Sequence, residues 1–160
     1  MDDRKFRNAM GKFASGVTVI TTEADGEIHG MTANAFMSVS LNPKLVVISI
    51  DERAQMLEKI RGSKKFAVNI LAADQQILSM KFAGQLKEEI DIPFDELSGQ
   101  AVLKGAIAQI TCEVVNEHVE GDHTLFIGKV TDIHLEDHDP LLFSNGKYRS
   151  LAAEKVKLNV

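Results

Sequence analysis

One stretch of the chain holds small residues, hydroxyl groups and an amide at a density that suits a pocket for a planar ligand. The stretch runs Gly30-Met31-Thr32-Ala33-Asn34-Ala35-Phe36 and continues into Ser38-Val39-Ser40. Small side chains let a flat ring approach the backbone, while hydroxyl and amide groups form hydrogen bonds with its polar edge. Judged on residue types alone, the favoured interpretation is a polar strand end whose hydroxyl and amide groups form hydrogen bonds within the protein. The reason is that a protein has few ligand pockets.

A second candidate joins a predicted strand to a predicted helix, at Asp51-Glu52-Arg53-Ala54-Gln55. The free backbone N–H groups at a helix start attract a phosphate, and an arginine such as Arg53 adds a charged fork. Asp51 and Glu52 weaken this interpretation, because carboxylates at a helix start cap the same N–H groups. A capped helix is therefore the simpler interpretation of these residue types.

The third candidate is Gly121-Asp122-His123, which lies between two long predicted strands. Gly121 permits a tight backbone turn, and Asp122 can orient the His123 ring through one of its nitrogen atoms. A polar hairpin tip is the alternative interpretation, and as a bare tripeptide this motif is a weak signal.

Two other kinds of site are not favoured. The pairs His118 with His123 and His134 with His138 lack the CxxC or HExxH spacing of a zinc site, so no metal site is predicted. Cys112 shares its strand face with apolar neighbours and is predicted to be a buried small hydrophobic residue, not a nucleophile.

The elements that must position these candidates are mostly strands joined by hairpins. Asp25-Gly26 predicts a hairpin turn, and the apolar run Leu45 to Ile50 predicts a strand buried on both faces. The other predicted strands are Val17 to Thr22, Glu27 to Met31, Phe66 to Leu71, Ala106 to Val119 and Thr124 to Leu135. Since GxGxxG and the strand–helix alternation of a Rossmann fold are absent, we expect a mainly β fold, an antiparallel barrel with short helices.

The first predicted helix is capped by Asp2 or Asp3 and carries an apolar stripe of Phe6, Met10 and Phe13. Gly16 is expected to end this helix as a glycine at the C′ position, just beyond the last helical residue.

Two further helices are predicted, over Arg53 to Arg61 with Gly62 as its stop, and over Asp74 to Phe82 with Asp74 as its cap. Their inward faces are expected to hold Met56, Leu57 and Ile60 in the first case and Ile77, Leu78 and Phe82 in the second. The acidic segment Gly84 to Gly105 is expected to be a long surface excursion.

The composition predicts one globular domain over residues 1–160, with 152–160 as a loose tail. The 160 residues are 44% hydrophobic and 26% charged, which suits a packed core. A net charge of -5 without a basic block disfavours nucleic-acid binding. No apolar run is long enough to span a bilayer, no secretory signal is present and only one cysteine occurs, so a cytoplasmic location without membrane attachment is expected.

Taken in order, the segments of this chain resemble the short-chain flavin reductase family over nearly the whole length. Within that family the resemblance is to the reductase components of bacterial two-component phenol hydroxylases. The segments that carry it are residues 6–13, 14–22, 32–34, 38–41, 66–71, 82–84, 121–128, 140–143 and 146–148.

This resemblance implies an FMN-binding split β-barrel that dimerises and holds its flavin near the subunit interface. It also implies hydride transfer from NADH to FAD or FMN, which supplies a partner monooxygenase that hydroxylates an aromatic substrate such as a phenol. His123 is implied to position the nicotinamide, together with Gly121 and Asp122. The implied flavin contacts are Met31, Thr32, Ala33, Asn34, Ser38, Val39, Ser40, Asp51, Arg53, Ala54, Phe82, Ala83, Gly84 and Tyr148.

In one place the chain departs from many relatives, which carry Ser or Thr in the first turn of the helix after Asp51. Here backbone N–H groups, Arg53 or a residue of a second subunit are expected to meet the flavin phosphate instead. The apolar segment Leu141-Leu142-Phe143 is expected to suit the subunit interface. The sequence leaves open the choice between FAD and FMN, between NADH and NADPH, and between a reductase and a flavin-binding module without nicotinamide activity.

Overall fold

The structure is a computed structural model, and it describes residues 1–153. Its helices are α1 (Asp3–Met10), α2 (Gln55–Ser63) and α3 (Gln76–Phe82). The first six strands are β1 (Ser15–Gly16), β2 (Thr18–Ala24), β3 (Glu27–Ala33), β4 (Phe36–Leu41), β5 (Lys44–Asp51) and β6 (Lys65–Ile70). The others are β7 (Phe94–Leu97), β8 (Gln100–Leu103), β9 (Ala108–Glu120), β10 (His123–Leu135), β11 (Leu142–Ser144) and β12 (Lys147–Arg149). The predicted tail lies, from residue 154 onward, outside the described residues.

Seven antiparallel strands form the main sheet, in the order β3-β2-β6-β9-β10-β5-β4. The two outermost strands, β3 and β4, follow each other in the chain and are separated only by Asn34 and Ala35. A link of two residues brings the ends of β3 and β4 together, so the sheet must curl until its edges meet. This architecture confirms the predicted mainly β, antiparallel barrel.

The barrel interior is filled by one apolar cluster, which includes Ile20, Ile48, Phe66 and Phe126, all fully buried. Helix α2 covers this interior with the face that the sequence predicted, namely Met56, Leu57 and Ile60. The helix runs through Gly62 to Ser63, however, and Lys64 with φ of +57° ends it. Gly62 therefore does not stop the helix as predicted.

A second apolar cluster lies on the opposite face of β2, where Val19 alternates with the inward Ile20. It corrects one prediction. The segment from Gly84 to Gly105 is not merely a surface excursion, because it contains the β7–β8 hairpin and contributes the fully buried Leu103. Leu141 is only 3% exposed and packs inside this cluster, whereas Leu142 and Phe143 are partly exposed, and the place of this segment in an interface stays a prediction.

The first helix is shorter than predicted. It ends at Met10, where Gly11 caps it, and Ser15–Gly16 forms a strand against β11 instead of a last helical turn. The predicted stripe of Phe6, Met10 and Phe13 is present in the sequence but is 54%, 57% and 81% exposed, respectively. The apolar side chains of α1 are therefore more than half exposed, and the helix buries none of its residues.

The third helix begins at Gln76, and the predicted cap Asp74 does not cap it. The side chain of Gln75 instead accepts a hydrogen bond from the Ala72 N–H group at 3.0 Å, which ties the preceding turn together. Leu78 and Ser79 face inward, whereas Ile77 is 59% exposed. Ser79 thus takes the buried position that the apolar pattern assigned to Ile77.

In β5 only one face is fully buried, because Val46, Ile48 and Ile50 alternate with half-buried residues. The prediction of a strand buried on both faces is therefore wrong. Cys112 is fully buried as predicted, and burial raises the pKa of its thiol to about 12. No helix within residues 1–153 is long and apolar enough to cross a membrane.

Candidate active site

Three of the predicted segments meet at one end of the barrel because of the strand register. The Ser49 N–H group donates to the Ala35 carbonyl at 3.1 Å, which fixes the β3–β4 link beside the end of β5. Asp51 follows two residues later and lies opposite His123 in the β5–β10 pair. Asn34, Asp51 and His123, which are far apart in sequence, are thereby brought to the same end of the barrel.

A cavity of about 190 Å³ opens between β3 and α3 at this end. Five of the predicted flavin contacts line it: Thr32, Ala33, Asn34, Ala83 and Tyr148. The other lining residues, which the sequence did not indicate as contacts, are Val17, Ser79, Gln85 and Phe143.

A chain of hydrogen bonds forms one wall of this first cavity. The Thr32 hydroxyl donates to the Ser79 carbonyl at 2.6 Å, and the Ser79 hydroxyl lies 2.8 Å from the Tyr148 hydroxyl. The Tyr148 ring packs edge-on against Phe143, with 5.4 Å between the ring centres. Ser79, which is fully buried, therefore holds the position of Tyr148, although the two are 69 residues apart.

The close approach of α3 to β3 depends on Gly30. A Cβ atom at Gly30 would lie 2.4 Å from the Phe82 ring, far inside van der Waals contact. Phe82 also packs edge-on against Phe94, with 6.4 Å between the ring centres. Phe82 thus supports the cavity wall from behind and does not line the cavity, while Ala83 does; Gly84, with φ of +74°, follows the helix end.

The predicted phosphate-binding turn is organised by an ion pair. Both oxygens of the Asp51 carboxylate are engaged by Arg53, which donates its backbone N–H at 2.8 Å, its Nε at 3.0 Å and its Nη2 at 2.7 Å. These bonds hold the pKa of Asp51 well below its usual value. No side chain caps α2 after Ala54, so Asp51 stabilises the turn and leaves the helix N-terminus without a side-chain acceptor.

His123 stands beside this turn at the tip of the β9–β10 hairpin. Gly121 adopts φ of +65°, as the first residue of the two-residue turn requires. One oxygen of the Asp122 carboxylate lies 2.7 Å from Nδ1 of His123, and this hydrogen bond lowers the pKa of Asp122. The Glu52 N–H donates to the Asp122 carbonyl at 3.0 Å, so the hairpin tip and the Asp51 turn form one unit.

A second cavity, of about 670 Å³, lies between this unit and the start of α1. Asp51, Arg53, Asp122 and His123 line one side of it, and Phe6 lies on the α1 side. The sequence patterns did not indicate any role for α1 in a site.

Seven predicted flavin contacts line neither cavity, namely Met31, Ser38, Val39, Ser40, Ala54, Phe82 and Gly84. Met31 points into the barrel and packs against its core, because it alternates with the outward Thr32. Ser38, Val39 and Ser40 lie on the edge strand β4, where a bulge between Ser38 and Ser40 leaves Val39 47% exposed.

Comparison with known proteins decides the family. The sequence model of the family described as "Flavin reductase like domain" matches residues 10–152 of this chain. The chain belongs to the flavin reductase-like family.

Individual relatives agree with this assignment. The chain is 47% identical over 148 residues to an NADH-dependent flavin reductase of Rhodococcus, covering 91% of this chain and 84% of that protein. It is 38% identical over 147 residues to the reductase component of a 4-hydroxyphenylacetate 3-monooxygenase of Thermus thermophilus, covering 91% and 95%. The solved structure of the flavin reductase PheA2 in its native state superposes with a TM-score of 0.94 at 69% identity, covering 96% and 100%. The predicted family, fold and flavin reductase function are confirmed.

The first cavity has the chemistry that a flavin ring needs. Its walls combine small side chains with the amide of Asn34 and the hydroxyl of Tyr148.

Proposed function

We propose that the chain transfers a hydride from NADH to FAD or FMN, with the flavin ring against Thr32, Ala33 and Asn34 and the nicotinamide positioned by His123. The observation that supports this assignment is the convergence of the two cavities at one barrel end, next to the Asn34–Ala35 link and the Asp51–His123 pair. Two ligands bound there would lie at the same end of the barrel.

The bound cofactors supply the redox chemistry themselves, so the chain needs no nucleophile or metal for it. The task of its side chains is to hold two rings at reacting distance, which is catalysis by positioning. The Asn34 amide offers a donor and an acceptor to the polar edge of the flavin, and the Asp122 contact with Nδ1 fixes the His123 ring so that Nε2 is available to the nucleotide.

The flavin phosphate is proposed to meet the start of α2. The backbone N–H groups of Gln55 and Met56 have no side-chain cap, since Ala54 precedes them. The side chain of Arg53 is 87% exposed, and its guanidinium keeps free N–H groups beyond its bonds to Asp51. These groups compensate for the hydroxyl side chains that many relatives carry in this turn.

A homodimer is proposed, with β4 in the subunit interface. This strand forms one edge of the main sheet and exposes Met37, Val39 and Leu41, which are 60%, 47% and 82% accessible. An exposed apolar edge strand of this kind tends to pair with other chains and to aggregate unless another surface covers it. A second copy seated there would also bring Ser38 and Ser40 to the interface, where the family resemblance expects the flavin.

The proposed partner of the reduced flavin is a monooxygenase that acts on an aromatic compound such as a phenol. The similarity to a 4-hydroxyphenylacetate 3-monooxygenase reductase component supports this class of partner. We further propose that residues 1–160 act as one domain; the cytoplasmic location stays a prediction.

The experiment that tests the activity is a steady-state assay of NADH and NADPH against FAD and FMN. We expect NADH oxidation that depends on added flavin, with NADPH a poorer donor. Flavin binding without oxidation of either nucleotide would identify a flavin-binding module instead and would overturn the proposal.

A further inference from the structure

The hydroxyl groups on the wall of the first cavity differ in where their protons are directed. The Thr32 hydroxyl donates its proton to the Ser79 carbonyl at 2.6 Å. Toward a ligand, Thr32 therefore offers only oxygen lone pairs. Ser79 and Tyr148 share one hydrogen bond, since their hydroxyl oxygens lie 2.8 Å apart and either one can be the donor. The direction of that bond decides what Tyr148 presents to the cavity.

Burial fixes the direction of the hydrogen bond between Ser79 and Tyr148. Within residues 1–153, the Ser79 hydroxyl has Tyr148 as its hydrogen-bond partner and no other. Ser79 borders the cavity but is 0% exposed, so a water molecule cannot reach its hydroxyl, whereas Tyr148 is only half-buried. If Tyr148 donated, the Ser79 proton would be left in the interior without an acceptor, which is costly. Ser79 is therefore the donor, and the proton of Tyr148 can point into the cavity, where a ligand or water accepts it.

The position of the Tyr148 hydroxyl is fixed as firmly as its direction. The ring packs edge-on against Phe143, which is also its partner in the β11–β12 pair. Ser79 is anchored in turn, because its carbonyl accepts from the Ala83 N–H at 3.0 Å as well as from the Thr32 hydroxyl. A donor that is placed and oriented before the ligand arrives loses little freedom on binding.

We infer that Ser79 is a positioning residue that makes Tyr148 a hydrogen-bond donor to the flavin ring, an inference that rests on the proposed function because it needs the ring in the first cavity. The oxidised isoalloxazine ring carries a single N–H donor, at N3, and several acceptors in its carbonyl oxygens and ring nitrogens. A hydroxyl that donates is matched to one of these acceptors and not to the N3–H group. Tyr148 and Thr32 thus take opposite roles toward the polar edge of the ring.

The first test compares the affinity for FMN with the affinity for 3-methyl-FMN, in which a methyl group replaces the hydrogen on N3. Tyr148 is the only tyrosine of the chain and tryptophan is absent, so FMN bound beside this ring should quench the tyrosine emission of the unaltered chain. Measured by flavin fluorescence, Tyr148→Phe should raise the Kd about fivefold for both flavins, the effect of one lost hydrogen bond. An effect confined to FMN would mean that Tyr148 accepts from the N3–H group, and it would overturn the inference.

A double-variant cycle tests the contribution of Ser79. Ser79→Ala should raise the Kd for FMN about threefold in the unaltered chain, but it should not change the Kd in the Tyr148→Phe chain, where no phenol hydroxyl remains to be oriented. Equal fold-changes in both chains would show that Ser79 acts independently of Tyr148, and they would overturn the inference even where 3-methyl-FMN does not bind.

The matched control is Ser63→Ala, which removes one hydroxyl of another pair. The hydroxyls of Ser63 and Thr22 also lie 2.8 Å apart, and neither residue lines the first or the second cavity. The flavin Kd of this variant should stay within about twofold of the original, because only hydrogen bonds remote from the ligand are lost.

The results that would overturn the inference differ from those that would contradict the proposed function. An unchanged flavin Kd in Tyr148→Phe, with flavin-dependent NADH oxidation intact, would overturn only the role of Ser79 and Tyr148. A chain that binds flavin and oxidises no NADH would instead contradict the proposed function, and the Kd comparisons would still decide the inference.

Discussion

The residue with the most specific proposed role is His123, whose ring is held from one side by Asp122 at 2.7 Å. His123→Ala should raise KM for NADH by about one to two orders of magnitude, as expected when a contact worth about 1–3 kcal/mol is lost. The flavin Kd should change by less than about twofold, because His123 does not line the first cavity. His118→Ala, an exposed histidine on β9, serves as the control in the same assay. Equal losses for NADH and flavin would contradict the assignment.

A substitution of Asn34 distinguishes a role in flavin binding from a purely structural role. If its amide bonds the polar edge of the flavin, Asn34→Ala should weaken flavin binding by about 1 kcal/mol, or roughly fivefold, and leave the barrel folded. Fluorescence titration with flavin and a thermal melt on the same sample measure both quantities. A lower Tm with unchanged flavin affinity would show that Asn34 only supports the β3–β4 link.

At the scale of elements, the packing of α3 on β3 shapes the first cavity. Gly30→Ala would drive a methyl group into the Phe82 ring, so α3 must shift away from Thr32. We expect destabilisation of about 1–3 kcal/mol from overpacking, together with weaker flavin binding.

The matched control for this variant is Gly62→Ala, because Gly62 lies within α2 and has open space around it. Alanine there should increase stability by up to about 1 kcal/mol through helix propensity. Urea unfolding of both variants measures the change in the free energy of unfolding, which should be negative for Gly30→Ala and positive for Gly62→Ala. A neutral Gly30→Ala would show that Phe82 moves aside freely and that the close approach is not required.

At the scale of the whole molecule, several carboxylates are stabilised as anions. Hydrogen bonds from Arg53, His123 and Ser98 lower the pKa values of Asp51, Asp122 and Asp132, respectively, below the ordinary 3.8. Because the folded pKa values are the lower ones, their contribution to stability is complete above the unfolded pKa. It is lost as the pH falls through the folded values.

The unfolding free energy should therefore decline as the pH falls below about 4, and Asp51→Asn should make that decline shallower. Urea titrations of both proteins between pH 6 and pH 3 measure the slopes. The effect should be modest and reduced by salt, since these groups are near the surface. If the free energy of unfolding fell with pH at the same slope in both proteins, the Asp51–Arg53 pair would not contribute to the pH dependence of stability.

The assembly is tested by sedimentation at micromolar concentration, where we expect twice the mass of one chain. Leu41→Glu on β4 should produce monomers, because a charge would be buried in the proposed interface. Ile77→Glu, which charges an exposed position on α3, should leave the dimer intact. Monomers of the unaltered chain would contradict the proposal.

Local patterns in the sequence determined most of the elements, because each depends on neighbouring residues. The Asp25-Gly26 turn, the two long strands around Gly121-Asp122 and the inward face of α2 appear in the structure as the patterns indicate. Helix boundaries were less well predicted, since the pairing of Ser15–Gly16 with β11 comes from residues more than 120 positions away. The segments of the candidate site were indicated only through their joint resemblance to a family, not by any single motif.

Only the tertiary structure decided how these segments meet. Ser79, Phe143 and Tyr148 join Thr32 and Asn34 because α3 packs on β3 and the β11–β12 hairpin closes against it. Phe6 reaches the cavity beside His123 because the chain places α1 next to the Asp51 turn. The physical reason is that residue type and spacing fix backbone propensity and strand faces locally. Which faces come into contact depends instead on strand register and on the burial of apolar surface across the whole chain.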